Sequence, residues 1–202
     1  MIKKNYKELP EIRIQYGWFL DRLFKEISEK NKGKYPGFKN IQNKINSFQK
    51  AWRPVEKKVL RGLIKILDLN FRQNTIDVFI VGKCRSFSNP MVISSHYAKD
   101  DFVDVLTHEI LHRLLTDNMN DRLNVSEIWD MMFPGERMTV RNHVLVHAVH
   151  KHIYLDILKS PKRLKNDIKT SSKFPDYKRS WDIVEERGYL VIIADFKSRF
   201  KV

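Results

Sequence analysis

Apolar residues recur at helical spacing over residues 12–29 and again over 54–69, where Pro54 suits a first helical turn, so both stretches are expected to be helices. Two short β-branched runs follow, TIDVFIVG (75–82) and PMVISS (90–95), with a turn-rich segment between them. They read as two strands of a small sheet. The strand pair leads into a helix at 102–116. Asp100 or Asp101 is available as its cap, and Asp100, Asp101 and Asp104 suit the positive end of its dipole. A polar, Met-rich connection then precedes a second long helix, 139–159, ended by Ser160-Pro161. One more helix near 177–186 and a short apolar run at 189–194 close the chain. Further punctuation comes from NKGKYPG (31–37), the loop at 85–90 and Pro134-Gly135. The succession predicts an α+β fold with a small, mostly antiparallel sheet.

At 202 residues the chain is expected to form a single domain, with a basic helical N-terminal region (about 1–70) and a basic tail (about 160–202). Charge sharpens that division. The net +14 separates into +11 over residues 1–65, −3 over 66–142 and +6 over 143–202. A polyanion would therefore be met by the flanks, although a lysine-rich surface also serves solubility alone and no nucleic-acid-binding signature accompanies it. Cys84 is the only cysteine, which excludes an intramolecular disulfide and suits the cytoplasm. The basic start runs into no apolar leader core, and no apolar stretch is long enough to span a membrane. The four tryptophans, Trp18, Trp52, Trp129 and Trp181, are spaced in a way that suggests no stacking platform and read as core or surface anchors.

The helix at 102–116 carries His108, Glu109 and His112 as H-E-x-x-H. Four residues is just over one helical turn, so both histidines leave the same face and can reach one Zn²⁺ through ring nitrogens. Glu109 lies about 100° around from His108, close enough to take a proton from a metal-bound water without being a ligand. Chance would produce the pattern roughly once in a hundred sequences of this composition, so its context matters. That context is a capped helix after a strand pair, with Phe102, Leu106, Ile110 and Leu114 on the opposite face for burial.

The helix at 139–159 adds four histidines. Counting about 100° per residue from His143, His147, His150 and Tyr154 fall on one stripe and His152 on the far side. The stripe could supply a third ligand; the plainer alternative is an aromatic and polar core face satisfied by hydrogen bonds.

In these residues the sequence resembles the zincin metallopeptidases, and among them the gluzincin arrangement, in which a separate downstream helix bears the third ligand. That helix often begins Asn-Glu-x-x-x-Asp, and Asn142-His143-Val144-Leu145-Val146-His147 is similar, with histidine in place of both acids. The resemblance implies a zincin-like fold, an active-site helix at 101–116, a ligand helix at 139–159, Zn²⁺ held by His108, His112 and His143, and Glu109 as general base. It implies a supporting role for His147, which is also the alternative third ligand. Metzincins are a poorer match, having a third His or Asp where this chain has Asn118 and Gly where it has Leu115. His150, Tyr154, His96 and Tyr97 are the candidate oxyanion donors, the last two following a strand expected to be the sheet edge that in zincins lies along the substrate. The resemblance covers about 75–158 and leaves substrate choice open. The expected activity is zinc-dependent peptide hydrolysis on a protein or peptide, with no membrane partner. The alternatives are a nucleic-acid-associated module with a structural or inactive zinc site and a protease acting on DNA-bound proteins.

Overall fold

The first run of helical spacing divides in two. In the computed structural model, which describes residues 9–31, 33–119 and 125–200, strand β1 (Glu11–Tyr16) precedes helix α1 (Trp18–Lys30). The expected helix from residue 12 is thus corrected over its first part. Ile14 buries against the sheet opposite Val78, and a strand partner outweighs a local pattern that fits either period. Gly17 makes the joint. A Cβ there would lie 2.9 Å from that of Phe79, so the chain can pass this close to β2 (Thr75–Val81) only without a side chain.

The chain packs as two compact units, one comprising the residues up to Lys57 with Gln73–Arg113, the other Lys58–Arg72 with Leu114 onward. The first unit holds a four-stranded open sheet in the order β1-β2-β4-β3, where β3 is Phe87–Ser88 and β4 is Met91–Ser94. Both β1–β2 and β2–β4 are parallel, and only β3–β4 is antiparallel. The expectation of a mostly antiparallel sheet is therefore wrong. Parallel neighbours need long returns, and the chain supplies helices α1, α2 (Phe38–Trp52) and α3 (Glu56–Leu67) between β1 and β2. The segment 82–90 likewise carries the chain back, so that β4 starts level with Val78 of β2. The run at 90–95 is consequently an inner strand, and the short β3 forms the edge.

An acid secures one end of this sheet. Asp21 is 6% exposed and accepts hydrogen bonds from the hydroxyls of Tyr16 (2.7 Å) and Tyr35 (2.5 Å) and from the backbone N–H of Gly82 (2.7 Å). One carboxylate thereby ties β1, α1 and the loop leaving β2. Behind the sheet, Ile41, Ile45, Phe48 and Trp52 of α2 are buried, and Phe48 stacks on Phe102 at 4.0 Å.

Phe102 belongs to α4 (Lys99–Met119), which contains the expected active-site helix. Asp100 and Asp101 lie in its first turn rather than at its cap; they still suit its dipole. Apolar burial is not confined to one face. Val103, Leu111 and Leu115 are as deep as Phe102, Leu106, Ile110 and Leu114.

In the second unit, helix α6 (Met138–His152) continues as a π-helical turn, Ile153–Ile157, so the expected helix at 139–159 is present. It packs against α8 (Pro175–Arg187) and α9 (Tyr189–Phe200), burying Val144, Ala148, Trp181, Val184, Ile192 and Phe196. Helix α7 (Pro161–Ser171) begins with the proline expected only to end its predecessor, since proline also fits a first helical turn. Helix α5 (Val125–Met132) lies within the Met-rich connection, where no helix was expected; residues 120–124 of that connection lie outside the described residues, as do 1–8 and 32 of the basic N-terminal region and 201–202 of the tail. The fold is mixed, roughly α+β. Among the described residues no helix is long and apolar enough to cross a membrane.

Candidate metal centre

His108 and His112 are one turn apart on α4, and their Nε2 atoms lie 3.0 Å from each other. Two imidazole lone pairs repel at that distance, so the arrangement is favourable only with a proton or a cation between them. Nitrogens bonded at about 2.0–2.1 Å to one tetrahedral zinc stand about 3.4 Å apart, close to the separation found. Among the described residues His108, His112 and His143 form a half-buried group whose ligand nitrogens all lie within 4.8 Å of one another. This group could hold a metal ion, and its all-imidazole chemistry suits Zn²⁺ and its neighbours in the first transition row.

His143 owes its tautomer to its own helix. Its Nδ1 lies 2.7 Å from the carbonyl oxygen of Thr139, an atom that can only accept, so Nδ1 carries the proton and Nε2 keeps the lone pair. The ring also rests against Tyr177, with centroids 4.4 Å apart.

Glu109, next to His108 in sequence, is 7% exposed. Burial pushes its carboxyl up to about 7, and the positive charge of Arg85 offsets only part of that rise. A carboxyl poised near neutrality is suited to taking and returning protons.

The rest of the histidine stripe serves packing. His147 is 2% exposed, stacks on Trp181 at 4.3 Å and meets the hydroxyl of Ser180 at 2.9 Å through Nδ1. It is not in the metal-capable group. His150 and Tyr154 are buried one turn apart. Nδ1 of His150 lies 3.0 Å from Asp167 of α7 and 3.3 Å from the Tyr154 hydroxyl. The reason is length, because eleven residues of helix rise about 16 Å, far more than one coordination sphere. His152 sits off the stripe beside Asp156 and Tyr189.

In the first unit, His96 shares a 2.7 Å contact with Ser94 and stacks beside Tyr97, whose carbonyl accepts from Lys44. Burial, with the charges of Lys44 and Lys83, holds His96 below its usual value. Cys84 is pushed up to about 12 by burial and by the carboxylates of Glu109 and Asp21, which leaves it inert as a nucleophile. Sequence reading missed Arg85, Thr139 and Ser180. Thr139 acts through a backbone carbonyl that any residue would supply, and the other two act through contacts that only folding creates. No family model, curated protein or solved structure matches the chain.

Proposed function

We propose that this chain is a zinc-dependent peptidase of the zincin type, with His108, His112 and His143 holding the metal and Glu109 moving the proton. The three-histidine group is the observation that carries the reading, with a buried carboxyl one residue along α4. Zinc there would polarise a scissile carbonyl and make a water acidic enough to attack at neutral pH.

Glu109 accepts the proton of the attacking water and delivers it to the amine nitrogen as the C–N bond breaks. Its seclusion from solvent strengthens each of these transfers, since the carboxyl exchanges protons with the reactants rather than with bulk water. The Thr139 carbonyl keeps Nε2 of His143 unprotonated, and the packing of His147 on Trp181 and Ser180 holds the helix that presents His143. His150 and Tyr154 are engaged within the second unit's helices, and His96 and Tyr97 are the other two expected oxyanion donors.

A basic nucleic-acid module with a structural metal is the rival. A structural zinc site ordinarily closes with four protein ligands, whereas the described group offers three nitrogens. The deciding experiment measures metal content and cleavage of an unfolded protein by wild type and Glu109→Gln. Zinc in both proteins with hydrolysis by wild type alone supports a peptidase; zinc in both with hydrolysis by neither would overturn it.

A further inference from the structure

An open cavity of about 1290 Å³ lies in the first unit between α1 and the loop leaving β2. Its volume exceeds the roughly 300–1,000 Å³ of ordinary small-molecule pockets. Phe24 and Ile27 form an apolar wall on α1. Lys34, Lys44, Lys83 and Arg85 surround the space, and among the described residues no Asp or Glu lines it. Four cations without a lining carboxylate leave a positive potential that a complementary anion would relieve.

The cavity has an electrostatic link to the proposed general base. Arg85, on its wall, acts electrostatically on Glu109, as Glu109 does on Cys84 beside it. The apolar wall continues outward, where Phe19, Leu23 and Ile27 recur every four residues along α1 and are 56%, 43% and 55% exposed. An amphipathic helix that leaves its apolar stripe in water has surface available to an occupant.

We propose that this cavity selects the substrate, and that it takes a polypeptide segment in which acidic side chains alternate with large apolar ones. The inference rests on the peptidase reading for its meaning but not for its test. Carboxylates meet Lys34, Lys83 and Arg85, and apolar side chains cover Phe24 and Ile27. A single small anion would leave most of the apolar wall exposed. A nucleic-acid strand would satisfy the lysines and leave the Phe19–Leu23–Ile27 stripe in water.

The test measures binding without cleavage, by fluorescence anisotropy on the Glu109→Gln protein. The probes are a fluorescein-labelled peptide alternating aspartate and leucine, and the same peptide with asparagine at each aspartate. The acidic peptide is expected to bind about tenfold more tightly at low salt. Lys34→Glu with Lys83→Glu should remove that preference, and Lys34→Ala with Lys83→Ala should halve it or more, with circular dichroism unchanged. Equal affinity for the two peptides would overturn the proposal, as would a preference that survives both variants. Displacement by an oligothymidylate that itself loses binding in the glutamate variant would reassign the cavity to nucleic acid. A dimer broken by that variant would reassign it to a second copy of the chain. Because no probe is cut, failure here leaves the hydrolysis experiment standing, and failure of hydrolysis leaves this binding result intact.

Discussion

Nδ1 of His143 points its proton at the carbonyl oxygen of Thr139, 2.7 Å away and one turn earlier on the same helix. His147, one turn later, instead uses Nδ1 to meet Ser180 inside the helical core. The two histidines stand one turn apart on the same stripe of α6 and meet different environments in the fold, which accords with the different roles expected of them.

His143→Ala is expected to weaken zinc binding by more than about 100-fold, because it removes a bond to the metal, while His147→Ala loses no more than the 10 to 100-fold typical of a supporting contact. His108→Ala with His112→Ala should abolish stoichiometric zinc. Metal content after dialysis against a graded chelator reads both; the order reversed, with His147→Ala the weaker binder, would exchange the two roles.

Stability should show the converse. His147 is buried against Trp181 and bonded to Ser180, so His147→Ala is expected to cost the metal-free protein about 2–4 kcal/mol, and Ser180→Ala about 1 kcal/mol. His143, half-buried, should cost less. Urea unfolding of the three variants without metal checks this. Equal destabilisation by His143→Ala and His147→Ala would count against a packing role peculiar to His147.

Glu109→Gln is nearly isosteric but cannot take a proton. It is expected to keep zinc and lower kcat at least about 100-fold, within the range that general-base catalysis contributes. Steady-state kinetics on an unfolded protein substrate would decide, and an unimpaired variant would rule out the proton-transfer role.

The Asp21 cluster predicts an alkaline limit to stability. Burial first, and then the bond to Asp21, raises Tyr16 from its ordinary 10.0 to about 12, and Tyr35 shifts the same way. The native state thus holds these protons where the unfolded chain has lost them. Their contribution is complete below pH 10 and disappears as pH climbs through about 12. Unfolding free energy measured across that window should fall for wild type and fall less steeply for Tyr16→Phe; parallel curves would remove Tyr16 from the account.

Local pattern alone determined the elements whose residues contact one another along a single segment. The H-E-x-x-H face on α4 is such an element, because a helical turn brings His108 and His112 together wherever that helix lies. Strands β2 and β4 and helix α6 were legible for the same reason, each being a continuous run of one period. Strand β1 was not, because its short apolar pattern also fits a helix and only its pairing with β2 selects the strand. Strand direction was equally hidden, since a side-chain alternation of two is identical in parallel and antiparallel ladders. The stripe of His143, His147, His150 and Tyr154 was real in angle but too long for a single metal. Ser180, Trp181 and Asp167, brought from α7 and α8, decided which members serve the core. Burial determined the rest of the site's character. Glu109 is only one letter of a motif until α4 is enclosed, and removal from water is what carries its carboxyl toward neutrality.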